Sequence, residues 1–354
     1  MHLSLLALMV IGILFIYSAG FQSAEAPVSG FYRRQILWAC VGLAGYVVLA
    51  MTDYRRVADA AWWIYAVTLC LLILVLLMGK EVYGASRWLS LFDVQVQPSE
   101  FAKLAVALVV ARYLARPGRD TGHPRCVWLS LLIAAVPFAL IARQPDLGTA
   151  VVLVPITFLI LFAGGVRLKV LAILVLLGMM SLPVAWLGLG DYQRDRILVF
   201  VDPGRDPYGA GWNKMQSEIA VGSGGLTGKG YLKGTQNVLG YLPRTVAPTD
   251  FIYSVIAEEK GFVGAATVLA LFGLVLVSGT RAALAARDKL GRLIAVGITG
   301  MIFFHVFVNI AMTIGLMPIT GLPLPLMSYG GSFMISTMLG LGIVQSIFIR
   351  RDRR

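Results

Sequence analysis

Residues 60–78 read AAWWIYAVTLCLLILVLLM, a segment in which no side chain carries a formal charge. A helix of about 20 apolar residues crosses the hydrocarbon core of a bilayer, so this segment predicts a membrane-spanning helix. Similar runs recur along the chain, and hydropathy predicts about ten such helices. They cover about residues 3–20, 35–51, 60–78, 100–115, 126–142, 147–163, 168–187, 251–278, 292–315 and 331–349.

The composition agrees with a membrane protein. Of the 354 residues, 58% are hydrophobic and only 14% are charged, whereas about 25% of the residues in a soluble globular protein are charged. Strand-period alternation is absent, so a transmembrane β-barrel is not expected. The sequence predicts an all-α polytopic membrane protein, with residues 1–354 forming a single integral membrane domain.

The net charge of +12 is distributed unequally between the two sides of the membrane. The short loops of one side hold more than twice as many Lys and Arg residues as those of the other side, so the first side is predicted to be cytoplasmic. The larger group comprises Arg55, Arg56, Arg112, Arg116, Arg119, Arg125, Arg167, Lys169, Arg281, Arg287, Lys289, Arg292 and the Arg350–Arg354 tail. The smaller group comprises Arg33, Arg34, Lys80, Arg87, Lys103 and Arg143. Both termini are then cytoplasmic, and the charge predicts no nucleic-acid partner.

A long polar loop, about residues 188–250, separates the seventh and eighth predicted helices and faces outward in this topology. Long ordered loops are uncommon unless they have a function. Within it, Trp212, Met215 and Ile219 fall at helical spacing, with Glu218 elsewhere on the turn, which predicts an interfacial or re-entrant helix.

Charged residues also mark the outer ends of two predicted helices. Glu100 and Lys103 are three residues apart and share a helix face. They form either an interfacial ion pair or a site in which Lys103 meets an anionic headgroup. Asp146 begins another helix, as a simple N-cap or as part of a site, and Arg143 adds a cation at the same end.

The outer loop ends in two further candidates. The glycine-rich segment from Gly222 to Gly230 is not a P-loop, because its spacing fails and no strand precedes it. Its amides can approach an anion, or the segment is a hinge. At the end of the loop, Asp250 either starts the next helix, with Thr249 as its cap, or is a reactive carboxylate at the membrane surface. Glu258 and Glu259 lie two turns deeper, where carboxylates are usually functional or paired.

The same residues carry a resemblance to a known family. Arg87–Leu89, Gln97–Lys103, Gln144–Ala150, Gln216–Gly230, Thr249–Tyr253 and Gly315–Ser332 resemble, in order, the motifs of the SEDS family (shape, elongation, division and sporulation). The Thr320–Pro325 form is more similar to the elongation members than to the division members.

This resemblance implies a peptidoglycan glycosyltransferase of the bacterial cytoplasmic membrane that polymerises lipid II into glycan strands for cell-wall elongation. It implies that Asp250 is catalytic, and it adds Mg or Mn as a possible divalent cation. The implied partners are a class B penicillin-binding protein and other membrane proteins of the elongation machinery. The substrate-binding candidates are Lys103, Glu100, Asp146, Arg143, Glu218, Ser223 and Lys229.

Two other functions fit intramembrane charges and broken helices. One is a flippase for lipid-linked precursors, and the other is a non-catalytic scaffold for a penicillin-binding protein. A flippase needs a polar path through the whole membrane, whereas the charged motifs cluster on the outer side. A scaffold should tolerate Asn in place of Asp250, which an enzyme should not.

Overall fold

The computed structural model describes residues 1–21, 30–82, 85–91 and 94–351, which are mostly helical. The helices are α1 (His2–Gly20), α2 (Phe31–Met51), α3 (Tyr54–Asp59), α4 (Ala61–Met78), α5 (Pro98–Leu114), α6 (Pro124–Ala142), α7 (Leu147–Ala163), α8 (Leu168–Gly188), α9 (Asp191–Val201), α10 (Ala210–Ser223), α11 (Thr235–Val238), α12 (Ile252–Leu284), α13 (Lys289–Thr313) and α14 (Gly331–Ile349).

Every segment that hydropathy predicts as a membrane crossing coincides with one of these helices. Within the described ranges, seven helices are long and apolar enough to cross a membrane: α1, α2, α4, α6, α12, α13 and α14. Helix α7 and most of α8 are apolar but shorter. The all-α polytopic membrane fold is confirmed, and the number of crossings stays a prediction. The long loop is itself largely helical, because it contains α9, α10 and α11.

A small antiparallel sheet lies between α4 and α5, where no strands are predicted from the sequence. Its strands are β1 (Lys80–Val82), β2 (Ala85–Leu91) and β3 (Val94–Val96), hydrogen-bonded in that order. Strands of three to seven residues are too short to give a clear period-2 pattern, which explains why they were not predicted. Since β3 ends just before α5, the sheet fixes where that helix begins.

The chain forms two compact units, each assembled from separate segments. Unit 1 comprises Met1–Val41, Gly190–Val277 and His305–Met334, and unit 2 comprises Gly42–Leu189, Ser278–Phe304 and Ile335–Arg354. The single domain 1–354 stays a prediction.

Helix α5 is the centre of unit 2. Its residues from Ala105 to Ala111 are all 0–2% exposed, and it packs against α4, α6 and α7. A helix that is apolar on all sides must be covered on all sides. Any charged residue near its start is therefore drawn into the protein interior.

Helix α12 is broken inside unit 1. Gly261 has φ 63° and ψ −162°, a backbone conformation that interrupts the helix. The glycine-rich segment replaces the lost helical bonds, because the Phe262 and Val263 amides donate to the carbonyls of Gly225 and Leu226 at 2.8 and 3.1 Å. A break in an apolar helix is stable only where neighbouring groups satisfy the freed backbone in this way.

Asp288, between α12 and α13, joins three parts of unit 2. Its carboxylate accepts hydrogen bonds from the Tyr54 hydroxyl (2.9 Å), Arg55 Nε (2.9 Å) and the Gly291 amide (2.8 Å). Burial by itself would raise the pKa of Asp288, but these donors and the Arg55 charge outweigh burial and hold the pKa below its usual value. The loop between the two long helices is thereby fixed to α3.

Candidate active site

The start of α5 holds Glu100 and Lys103 as a buried ion pair. Lys103 Nζ lies 2.8 Å from Glu100 Oε2, and the two side chains are 1% and 2% exposed. The predicted shared helix face is confirmed. The neighbours of α5 cover the pair inside unit 2, and its predicted position at the membrane interface stays a prediction. Contact between Lys103 and a headgroup stays a prediction as well.

Asp146 caps α7, which is one of the two roles that the sequence predicts for it. Its side chain accepts from the Thr149 amide at 3.4 Å, and Oδ2 accepts from Gln97 Nε2 at 3.1 Å. Arg87 on β2 donates to the Pro145 carbonyl and places Nη1 3.8 Å from Asp146 Oδ1. The unpredicted sheet thus brings a cation to the acidic start of a helix.

Unit 2 therefore gathers three of the predicted residues. Ser99, adjacent to Glu100, has its hydroxyl 3.5 Å from Asp146 Oδ2, so the ion pair and the cap are neighbours. Arg143 does not join them. It follows α6 and is exposed, and no hydrogen bond or ion pair links its guanidinium to another residue that the structure describes.

Asp250 lies in unit 1, in a turn that precedes α12. The amides of Thr249, Asp250 and Phe251 all donate to the Val246 carbonyl, at 3.2, 2.9 and 3.2 Å. Helix α12 starts at Ile252. The predicted cap is wrong, because α12 starts two residues later than a cap at Thr249 requires, and the Thr249 hydroxyl instead donates to the Val246 carbonyl. Asp250 is half-buried and sits before the helix rather than in its first turn.

This turn is tied to the loop between α13 and α14. The buried Asn309 of α13 donates from Nδ2 to the carbonyls of Asp250 and Leu322, at 2.9 and 2.8 Å. The Ser328 hydroxyl donates to the Thr249 carbonyl. The Tyr329 amide donates to the Pro248 carbonyl at 2.9 Å.

A second charged group, the guanidinium of Arg196, lies near Asp250 at the position of Gly321. The Gly321 φ of +74° suits glycine, and a Cβ built on this residue would lie 3.4 Å from Arg196 Nη1 and 3.5 Å from Asp250 Oδ2. The guanidinium and the carboxylate therefore flank the same backbone position. Arg196 comes from α9, and no role is predicted for it from the sequence.

The helix predicted in the long loop is present as α10, and its interfacial or re-entrant placement stays a prediction. Its protein-facing positions are small or polar, since Ser217 is buried and bonds to the Ser254 hydroxyl (2.7 Å) and the Thr313 carbonyl (2.8 Å). Ile219, on the predicted apolar side, is 48% exposed. Trp212 and Met215 of the same side are half-buried, and Trp212 Nε1 donates to the Tyr241 carbonyl at 2.7 Å.

Two substrate-binding candidates lie on α10. Glu218 is 42% exposed and approaches Lys214 at 3.8 Å. Ser223 is exposed and its hydroxyl donates to the Ala220 carbonyl at 3.1 Å. Their substrate contacts stay predictions.

Lys229, the third candidate of the long loop, forms an ion pair with the broken helix α12. Its Nζ lies 2.7 Å from Oε1 of Glu258, whose side chain is 0% exposed. Glu259 accepts from the Ser18 hydroxyl and, at 3.0 Å, from the Leu232 amide. Both deep carboxylates are thus paired, which is one of the two expected states.

The backbone of the glycine-rich segment is also hydrogen-bonded to α12. The Lys229 and Gly230 amides each donate to a carbonyl of that helix, at 3.0 Å. A Cβ on Gly228 would lie 2.2 Å from the Glu259 carbonyl oxygen. Close backbone approach, and not an anion, explains the glycine here.

The residues that the sequence missed are Arg87, Arg196, Asn309 and Ser328. Asn309 had a usable signal, because an amide within an apolar helix needs a partner. Arg196 had none, since it is one of several charges in a polar loop.

A protein-ligated metal site does not fit the described residues. They contain no group of three or more His, Cys, Asp or Glu side chains that could hold an ion. Mg²⁺ can also be held by one or two carboxylates together with substrate phosphates. The divalent cation stays a prediction, and no residue is assigned to it.

Known proteins are similar to this chain over nearly its whole length. The peptidoglycan glycosyltransferase MrdB of Escherichia coli (strain K12) is 42% identical over 99% of this chain and 93% of its own length. The peptidoglycan glycosyltransferase RodA of Treponema pallidum is 35% identical over 99% of this chain and 96% of its own.

Solved structures agree. A chain from a study of a peptidoglycan synthase complex, on the coordination of polymerization and crosslinking, matches with a TM-score of 0.80 and 34% identity over 99% of this chain and 98% of that one. The rod shape determining protein RodA of Thermus thermophilus matches with a TM-score of 0.73 and 32% identity over 99% and 96%. The family model described as cell cycle protein, FtsW/RodA/SpoVE, matches residues 1–353. With nearly the whole chain matched in sequence and in fold, the protein belongs to the FtsW/RodA/SpoVE family.

Proposed function

We propose that this chain is a peptidoglycan glycosyltransferase that polymerises lipid II into glycan strands during cell-wall elongation and releases undecaprenyl pyrophosphate. Family membership and the names of the relatives support the reaction class. The observation that carries the proposal for this chain is the half-buried carboxylate of Asp250, held in a fixed turn beside Arg196.

The reaction assigns a role to each of these two groups. A sugar hydroxyl of the acceptor attacks the anomeric carbon of the donor and forms the new C–O bond. The bond from that carbon to the lipid pyrophosphate breaks, the leaving group takes the electron pair, and the configuration inverts. Asp250 accepts the hydroxyl proton, a contribution worth ~10²–10⁴ in rate. Arg196 supplies a positive charge beside the reacting groups, where fixed charges stabilise the developing negative charge.

The proposed setting is the bacterial cytoplasmic membrane, with both termini in the cytoplasm and the loop 188–250 outside. The polymerase then works with a class B penicillin-binding protein that crosslinks the strands and with other membrane proteins of the elongation machinery. The solved relative from a synthase complex that couples polymerization and crosslinking supports such a partner. Glu100, Lys103, Asp146, Arg143, Glu218, Ser223 and Lys229 remain the proposed substrate-binding residues.

The test is polymerisation of purified lipid II by the full chain together with its penicillin-binding partner. We expect wild-type protein to make glycan strands and Asp250→Asn to make them ~10² times more slowly or worse, because Asn cannot accept the proton. Asp195→Asn is the matched control, since Asp195 is an exposed carboxylate of the same loop. It should polymerise at the wild-type rate.

Three results would count against the proposal. Wild-type protein without any glycan product would favour the flippase. Equal product from wild-type protein and from Asp250→Asn would remove the general base and favour the scaffold. An Asp250→Asn protein that no longer folds or binds its partner would show that the carboxylate is structural.

A further inference from the structure

One buried amide joins both backbone segments that surround Asp250. Asn309 is 0% exposed and lies near the end of α13, in an otherwise apolar part of the helix. Its Nδ2 group donates to the Asp250 carbonyl at 2.9 Å and to the Leu322 carbonyl at 2.8 Å. Because both partners are carbonyls and can only accept, the side-chain nitrogen must face them.

These two bonds hold two backbone segments that lie next to the carboxylate. One bond fixes the main chain of Asp250 itself. The other fixes Leu322, which follows Gly321, and a Cβ on Gly321 would be in van der Waals contact with Asp250 Oδ2 at 3.5 Å. Asn309 therefore sets the spacing between the backbone that carries the carboxylate and the backbone against which the carboxylate lies.

We propose that Asn309 is a positioning residue for Asp250, which it holds in register with the Gly321 segment for proton transfer. This inference rests on the proposed function, because it assigns Asp250 the role of base. Asn309 itself acts only through the two carbonyls. Small errors in the placement of a base have large kinetic effects, since ~1 Å of misplacement can cost ~100-fold in rate.

The chain offers a matched control in the same unit. Asn237 of α11 is 5% exposed, and its Nδ2 donates to the Ser18 carbonyl at 3.1 Å. Among the described residues, neither Asn237 Oδ1 nor Asn309 Oδ1 has a hydrogen-bond partner. The two amides thus make the same kind of bond, but only Asn309 bonds to the Asp250 turn.

The experiment compares Asn309→Ala, Asn309→Asp and Asn237→Asp with wild type in the lipid II assay, using the full chain with its penicillin-binding partner. Rates are measured as a function of substrate concentration and are corrected for folded protein by size exclusion and partner binding. For both Asn309 variants we expect kcat to fall ~10-fold or more, with KM within about twofold, because only the geometry of the base changes. Asn237→Asp should retain the wild-type kcat per folded molecule.

The outcomes separate this inference from the function on which it rests. Wild-type protein that makes no glycan would overturn the proposed function, and the positioning role with it. Active wild type with an unchanged kcat per folded molecule in Asn309→Ala would overturn the positioning role alone. An equal loss of kcat in Asn237→Asp would likewise overturn it, because any buried amide would then suffice. If Asn309→Asp does not fold, Asn309→Ala decides between these results.

Discussion

At the scale of single residues, burial changes what the Glu100–Lys103 pair does. Both side chains are almost fully removed from water, and their charged atoms are 2.8 Å apart. Exposed pairs contribute little to stability, whereas removing one member of a buried pair leaves an uncompensated charge in the interior. The pair is thus a requirement of the fold whatever else it does.

We therefore predict that Lys103→Met destabilises the protein by about 3–5 kcal/mol, and that replacing both residues in Lys103→Met/Glu100→Leu costs much less. Thermal unfolding of the two variants in detergent would measure this difference. A single variant as stable as wild type but unable to use lipid II would show instead that Lys103 acts on substrate, as its substrate-binding assignment requires.

At the scale of structural elements, the broken helix α12 and the glycine-rich segment form one backbone assembly. Lys229 and Gly230 donate to carbonyls before the break, and Phe262 and Val263 donate to the segment after it. A side chain between the two backbones would separate them. Gly228 stands at this contact with φ +80°.

Gly228→Ala should therefore destabilise unit 1 strongly, because its Cβ would clash with the Glu259 carbonyl and its φ is unfavourable for Ala. Gly222→Ala is the matched control, since a Cβ on this residue of α10 meets nothing within 4 Å. It should be neutral or stabilising, because Ala favours helix over Gly by up to about 1 kcal/mol. Equal melting temperatures for the two variants would refute the close-contact explanation.

At the scale of the whole molecule, the charge asymmetry of the loops predicts the topology. Cysteine labelling at exposed residues of the loops tests this topology. Tyr208 in the long loop is 93% exposed, and Arg116 after α5 is also exposed. Cys40 and Cys70 are exposed as well, and together with the buried Cys126 they must be replaced first.

In that cysteine-free background, Tyr208→Cys should react with a membrane-impermeant maleimide in intact cells, and Arg116→Cys should react only after lysis. This pattern places the loop 188–250 outside and the Arg-rich loops inside. The reverse pattern would place Asp250 on the cytoplasmic side and remove its access to an outer-leaflet substrate.

The fold class and the positions of the apolar helices follow from the amino-acid sequence. Runs such as residues 60–78 are apolar over a length that matches the bilayer, so a local pattern was sufficient. The sequence also singled out Asp250 and the Glu100–Lys103 face, because motif order and helical spacing are local properties as well. The three strands were missed, since they are too short to show a period.

The residues that surround Asp250 are brought together only when the chain packs. Asn309 is 59 positions away in sequence, yet it bonds to the Asp250 carbonyl, and Arg196 arrives from another helix of the long loop. Burial of Lys103 was decided in the same way, by the helices that cover α5. Such contacts depend on how distant segments pack, and a local sequence pattern carries no information about the neighbours that packing will supply.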